Sequence, residues 1–420
     1  MHYLFINVLI KIVLAHENIY HSIQIFCNYI LPKPALSFAD YTFFQLAGIY
    51  IHIPFCRQAC TYCNFHFSTS LKHKDDMMAA IQTELTMQAP YLAEQNVETI
   101  YFGGGTPSLL SADEIRRITD TILQHYNVSS IREFTLEANP DDLSYSYIKT
   151  LTSTAINRFS IGIQSFRNSD LQYMNRAHNT QQAEAAVKAA QDAGFENITI
   201  DLIYGTPGLT DKDWKHNLEQ VKEFGIPHFS AYALTVEEGT VLHHNINKKK
   251  TKPLDSTQAA TQFEILMEYA ALHGYDHYEI SNFAQPGMHA IHNTNYWMGI
   301  PYLGIGPSAH SYNGKARRWN IANNAVYLKN ILQDNKPIFE EEVLTTEQQV
   351  NEYIMTSLRT MWGCSLQKIT ATYDDTYRQS VLKNAQSFLE NDMLLLQDEK
   401  LILTNTGKLF ADNIAATLFI

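Results

Sequence analysis

Cysteine is scarce in this chain, five in 420 residues. So few, in an odd number, make no secreted disulfide framework. Basic residues are in deficit too, 31 Lys+Arg against 43 Asp+Glu, for a formal net charge of −12. A surface that acidic repels phosphate backbones, which argues against nucleic acid as the primary partner. There is no apolar run of the roughly 18 residues that a membrane-spanning helix needs. No internal repeat or low-complexity tract is visible. Hydrophobic residues at 45% and charged residues at 18% fit a globular protein with a sizeable core.

What is present is an alternation of strands and helices. It begins at Ala47, with strands expected over Ile49–Phe55, Val97–Phe102, Glu133–Ala138, Arg158–Gln164, Asn197–Tyr204 and His228–Leu234. Helix-length stretches lie between them: His73–Glu94, Ser111–Tyr126, Leu143–Thr154, Ser169–Met174, Thr180–Ala193, Lys212–Phe224 and, last, Thr257–His273. Ser111 and Glu114 form a capping box at the start of the second. Strands joined by helical crossovers imply a parallel sheet, and loops at the C-terminal ends of such strands carry chemistry. Residues 276–337 read as a loop-rich connecting segment, dense in His, Gly and aromatic residues. From 338 to 420 the pattern becomes helices followed by a hairpin over Leu394–Thr404, as in a small winged-helix module.

The cysteines carry the chemistry. Cys56, Cys60 and Cys63 follow the first strand with spacing three then two. Three thiolates cannot fill the four iron positions of a 4Fe–4S cluster, so one iron stays open. The competing reading is a zinc site completed by His66. Gly103-Gly104-Gly105-Thr106-Pro107 closes the second strand and lets backbone approach a ligand. Glu137, Gln164 and Asp201 are polar residues in otherwise apolar strands. Each alone is more often a paired structural group, but on successive strands they point to a shared polar cavity. Arg176 has the fork of donors to bridge a carboxylate, with a solvated helix cation as the plain alternative.

The cysteine spacing, its place after the first strand and the parallel α/β pattern together resemble the radical S-adenosylmethionine (radical SAM) superfamily. The fold implied is a partial (β/α)6 TIM-like barrel with a small C-terminal α+β winged-helix-like domain. The resemblance narrows to the oxygen-independent coproporphyrinogen III oxidase family on Ile51-His-Ile-Pro-Phe-Cys56, Gly103-Gly-Gly-Thr-Pro107, Asp201-Leu-Ile-Tyr-Gly205 and the C-terminal module. Two branches compete there, the oxidase and a heme chaperone. The oxidase has a fourth cysteine two places after the third, where this chain has Phe65, and an N-terminal arm that residues 1–46 do not resemble. Three further motifs favour the chaperone: Tyr278-Glu-Ile-Ser-Asn-Phe-Ala284, His292-Asn-Thr-Asn-Tyr-Trp297 and Gly304-Ile-Gly-Pro-Ser-Ala-His310.

The resemblance implies a 4Fe–4S cluster on the three cysteines and S-adenosylmethionine on Tyr50, Tyr62, Gly104, Gly105, Thr106, Glu137, Gln164, Arg176 and Asp201. It also implies heme as a ligand, acceptor hemoproteins, an electron donor for the cluster, and a cytoplasmic setting. His292, read as a loop residue beside Tyr296 and Trp297, is a candidate ligand of heme iron, with His289 and His310 as further candidates; the plainer reading is a histidine bonded to backbone. The family begins close to the first strand, so residues 1–45 are expected to be upstream sequence with the working start at Leu46. The rival reading makes them a membrane-seeking arm that gives the chain a peripheral membrane contact.

Overall fold

The computed structural model describes residues 46–420. Both readings of residues 1–45 lie outside the described residues. The barrel unit runs β1 (Leu46–Ile53), α1 (Lys74–Gln88), β2 (Asn96–Gly104), α2 (Ala112–His125), β3 (Glu133–Ala138), α3 (Tyr145–Leu151) and β4 (Arg158–Gln164). It continues with α4 (Asn168–Tyr173), α5 (Thr180–Asp192), β5 (Ile198–Tyr204), α6 (Asp211–Glu223), β6 (His228–Ala233), α7 (Val241–Asn247) and α8 (Ser256–Leu272). β1 to β6 are neighbours in sequence order and all parallel. This is the partial barrel that the alternation implied.

The strands show a division by face. Ile100, Phe102, Phe134, Leu136, Phe159, Ile161, Ile200, Leu202 and Phe229 are buried beneath the helices in one apolar core. The alternate positions are polar: Thr99 and Tyr101, Glu133 and Glu137, Arg158 and Ser160, Thr199 and Asp201, His228 and Ser230. Successive strand side chains point to opposite faces, so this second set lines the lumen. The helices are locally well specified. Ser111 accepts from Glu114 N while the Glu114 carboxylate accepts from Ser111 N, completing the expected capping box. Such a cap contributes about 1 kcal/mol.

The segment expected to be loop-rich is instead structured. It forms β7 (Asp276–Glu279), β8 (Asn282–Ala284), α9 (Ile291–Met298), β9 (Tyr302–Ile305), β10 (His310–Tyr312), β11 (Ala316–Asn320) and α10 (Asn324–Leu332). With β12 (Phe339–Val343) these strands extend the sheet to twelve, in the order β12-β11-β10-β9-β1-β2-β3-β4-β5-β6-β8-β7. β9 adds in parallel beside β1, and β8 adds antiparallel beside β6. Short strands of this kind owe their existence to the ladder they join, and carry little period of their own.

The C-terminal unit runs α11 (Thr346–Leu358), β13 (Cys364–Ser365), α12 (Leu366–Thr372), α13 (Asp375–Glu390), β14 (Leu394–Gln397), β15 (Lys400–Leu403), α14 (Asn405–Lys408) and α15 (Ala411–Thr417). Its three strands pair in the order β13-β15-β14 around a separate apolar core that includes Val350, Ile354, Val381 and Leu401. Helices followed by a β14–β15 hairpin give the winged-helix-like arrangement. No helix among the described residues is long and apolar enough to cross a membrane.

Candidate cluster and cofactor site

The cysteine loop leaves the end of β1 and is held in place by backbone bonds. Cys56 N donates to Ser68 O at 3.0 Å, and Gly105 N donates to Ile53 O at 2.9 Å. A Cβ on Gly105 would lie 2.5 Å from Phe55 O, so only glycine lets β2 press against the root of the loop. Thr61 N donates to Met174 O at 3.0 Å, and Asn175 Nδ2 donates to Ala59 O at 2.7 Å. The segment after α4 is therefore a strap across the loop, and Arg176 follows directly.

Arg176 joins two of the expected site elements. One guanidinium nitrogen donates to Cys60 Sγ at 3.3 Å, and the other to Asn139 Oδ1 at 2.6 Å and Gly162 O at 2.9 Å. Its Nε has no hydrogen-bond partner among the described residues. Asn139 Nδ2 donates to Thr106 Oγ1 at 3.1 Å, and the Thr106 hydroxyl in turn bonds Cys56. A chain of contacts thus runs Cys56–Thr106–Asn139–Arg176–Cys60. Tyr62, between the second and third cysteines, lies within electrostatic range of Arg176. Burial pushes the Cys56 thiol up to about 12, against the Thr106 hydrogen bond, and pushes Cys63 up to about 11. Thiols left in this state are poor nucleophiles; a bound cation would deprotonate them.

The donor set suits a polynuclear iron–sulfur cluster better than one zinc ion. Among the described residues no three His, Cys, Asp or Glu side chains converge on a single ion position. His66, the candidate fourth zinc ligand, instead bonds Asn324 Oδ1 at 2.7 Å through Nε2. The three thiols nonetheless lie within electrostatic range of one another on a loop that folds back through Cys63 N to Cys60 O at 3.4 Å. An unpartnered guanidinium nitrogen beside that loop fits an anionic ligand group.

The lumen next to the loop holds the rest. Gly104 has φ +104, a conformation that favours glycine, and its N–H donates to Glu137 Oε2 at 3.2 Å. Tyr101 donates to Glu137 Oε1 at 2.7 Å. Burial pushes Glu137 up to about 7 and Asp201 up to about 6, the latter against the nearby Arg176 and Arg158. Gln164 ends β4 at φ 67 beside a break in register. A non-glycine residue in that region costs on the order of 1–3 kcal/mol. A Cβ on Gly162 would lie 2.8 Å from Gln164 Nε2 and 3.2 Å from an Arg176 nitrogen, so this glycine gives both side chains their room. Tyr50 stacks on Tyr101 with ring centroids 6.0 Å apart. The structure thus gathers Tyr50, Tyr62, Gly104, Gly105, Thr106, Glu137, Gln164, Arg176 and Asp201 at the lumen and the cysteine loop. Sequence reasoning missed Tyr101 and Asn139; the signal for Asn139 was a polar residue directly after β3, level with Thr106.

Comparisons with known proteins identify the family and the fold. Residues 50–221 match the Radical SAM superfamily, and residues 344–410 match the HemN C-terminal domain. The heme chaperone HemW of Bacillus subtilis (strain 168) is 34% identical over 374 residues, covering 88% of this chain and 98% of that protein. The chain belongs to the HemW family. HemW of Mycobacterium tuberculosis (strain H37Rv) is 32% identical, covering 89% of this chain and 95% of that protein. Among solved structures, the radical SAM enzyme coproporphyrinogen III oxidase (HemN) of Escherichia coli has a TM-score of 0.77 at 23% identity. The match covers 89% of this chain and 90% of that one, and it shows a shared fold.

In this HemW-family chain one expected site residue lies elsewhere. His292 is not on a loop but in α9, and it is 1% exposed. Its Nδ1 bonds Thr99 Oγ1 at 2.8 Å and its Nε2 bonds Tyr296 OH at 2.6 Å. Tyr101 stacks on the ring at 5.0 Å, and burial pushes the imidazole down to about 3, so it is neutral. With both nitrogens engaged, His292 as placed has no free lone pair for an iron. It is a buried structural histidine at the floor of the barrel. The other two candidates are also packed: His289 bonds Asp276 Oδ2 at 2.9 Å, and His310 lies 6.3 Å from the Trp319 ring.

The motifs that set this branch apart build the floor and its joint with the C-terminal unit. Glu133 accepts from the N–H groups of Ile291 and His292 at 2.7 and 2.9 Å, at the start of α9. Tyr278 OH bonds His228 Nε2 at 2.7 Å. Glu279 pairs with Arg359 at 3.0 Å, and the Arg359 guanidinium lies 5.4 Å from the centre of the Trp297 ring.

Proposed function

We propose that this chain is a heme chaperone of the radical SAM type, which binds heme and passes it to acceptor hemoproteins. Cys56, Cys60 and Cys63 would hold a 4Fe–4S cluster with one open iron, and the lumen would hold S-adenosylmethionine. The observation that carries the reading is kinship with the HemW proteins along almost their whole length. Phe65 adds to it, because it stands where the oxidase branch has a further cysteine. Three free thiols in one loop also suit a reducing compartment such as the cytoplasm.

A cluster with an open iron supplies a site for the amino and carboxylate groups of S-adenosylmethionine and a source of one electron. The chain's own residues do the rest. Arg176 Nε is poised to donate to a ligand carboxylate beside Cys60. Gly104 exposes backbone to the ligand, and Glu137, fixed by Tyr101, accepts from it. A cationic ligand in the lumen would favour the charged forms of Glu137 and Asp201. Tyr50 and Tyr62 offer ring faces at the lumen and the cysteine loop.

Anaerobic reconstitution tests the reading. The protein should turn brown, bind added heme with a Soret band, and pass that heme to an apo-hemoprotein. It should form no protoporphyrinogen from coproporphyrinogen III with S-adenosylmethionine and reductant. Substantial turnover would place it with the oxidases instead.

A further inference from the structure

One surface stands apart from the acidic remainder of the molecule. From Gly239 to Leu254 there is no acidic residue, and Lys248, Lys249, Lys250 and Lys252 crowd the end of this stretch. All four are exposed. None forms an ion pair among the described residues, although most arginines in the chain do. One cation at the end of α7 complements the helix dipole. Four unpaired ones repel each other, which a folded surface tolerates only at some loss of stability.

The position of this turn gives it meaning. Leu242 N donates to Thr61 O at 2.7 Å, and Thr61 lies between Cys60 and Tyr62. Leu242 belongs to a small apolar cluster with Leu171 and Met174, against which Tyr62, Tyr173, Ile246 and Leu254 pack. Thr251 Oγ1 donates to Tyr173 OH at 3.4 Å, and the Tyr173 carbonyl accepts from Thr61 Oγ1 at 3.2 Å. Leu242, Ile246 and Leu254 are thus the feet that seat the basic turn on the cysteine loop, while the lysines face solvent. The turn borders the strap that carries Arg176.

We propose that Lys248, Lys249, Lys250 and Lys252 form the docking surface for a small acidic electron-transfer protein that reduces the cluster. The inference rests on the reading of Cys56, Cys60 and Cys63 as cluster ligands. One electron leaves the reduced centre of the partner and the cluster accepts it; no bond forms or breaks and no proton moves. Lysines on flexible stems suit a broad acidic face better than the fixed geometry of a small ligand. On a chain of net charge −12, a basic patch also orients an acidic partner at encounter, because the acidic remainder repels it.

The test uses the full chain with its reconstituted cluster and two reductants, a reduced flavodoxin and a photoreduced neutral deazaflavin. Bleaching of the cluster absorbance is followed by stopped flow, and flavodoxin affinity by calorimetry. Replacing the four lysines by glutamate should slow flavodoxin reduction at low salt at least about tenfold and weaken flavodoxin binding. A Lys→Gln set should give a smaller slowing, and added salt should narrow both gaps. Cluster content and deazaflavin reduction should match the parent. Equal flavodoxin rates in parent and variants would overturn the docking surface, and so would a slowing that salt does not reduce. A variant that loses heme affinity but keeps its flavodoxin rate would also overturn it, by assigning the patch to porphyrin carboxylates. A parent chain that takes up no iron and sulfide would instead overturn the function proposed above, and this inference with it.

Discussion

At the floor of the barrel, Glu133, His228 and His292 are buried and each is hydrogen-bonded to a named partner. At the mouth, Arg176 Nε and Asp141 Oδ1 have none among the described residues, Gln164 is held at φ 67, and the half-buried carboxylates of Glu137 and Asp201 face the lumen. Both ends carry charged and polar groups on or beside the parallel strands. What separates them is whether the protein itself satisfies them. A buried polar group that is fully bonded holds the fold together; one left open near a donor set is available to a ligand.

The largest effects should come from breaking the mouth. Cys56→Ala, Cys60→Ala and Cys63→Ala should each abolish the cluster by iron and sulfide analysis, whereas Cys364→Ala should retain it. Full cluster content in any of the three would contradict their role. At the floor, Arg158→Met removes the buried cation 3.9 Å from Glu133, together with its bonds to Asn197 and Thr199. Breaking a buried pair on one side costs about 3–5 kcal/mol. Urea unfolding should show that loss, and the surviving folded protein should bind S-adenosylmethionine as before.

A smaller effect sharpens the comparison. Gly162→Ala sets a methyl against Gln164 and Arg176. It should weaken S-adenosylmethionine binding on the order of tenfold, about 1.4 kcal/mol, with little change in cluster content. Unchanged affinity in a binding titration would mean that neither side chain contacts the ligand.

The smallest effect is that of pH. Glu137 at about 7 and Asp201 at about 6 are raised above ordinary carboxylate values, chiefly by burial. The folded, ligand-free chain then holds protons that the unfolded chain has released, so its stability should fall as pH rises from about 4 to 7. A cationic ligand reverses the preference at both groups. S-adenosylmethionine affinity should therefore rise with pH across the same window and level off above it; a flat profile from dialysis would remove these carboxylates from the site.

Much of this contrast was legible in the sequence, and the reasons are specific. β3 and β4 fall at the expected residues, Glu133–Ala138 and Arg158–Gln164, because apolar positions there alternate with polar ones. The cysteine loop and Gly104 were readable because their spacing is local, whereas Arg176, 116 residues from Cys60, was assigned to the site only by the family resemblance. The strands of residues 276–320 were not, since a strand as short as Asn282–Ala284 or His310–Tyr312 exists only by pairing with a neighbour distant in sequence. His292 misled for the same reason. Its motif looks like an open aromatic site, but its partner Thr99 is 193 residues away, and only the folded chain shows that the ring is already bonded on both sides.

That histidine offers the most direct test of the division between mouth and floor. His292→Leu removes any capacity to ligate iron and two buried hydrogen bonds. Stability by urea unfolding should fall by about 2–3 kcal/mol, while the Soret band of the heme-loaded folded protein stays unchanged in position and intensity. Parent-like stability with a lost or shifted Soret band would contradict the account and make His292 a heme ligand.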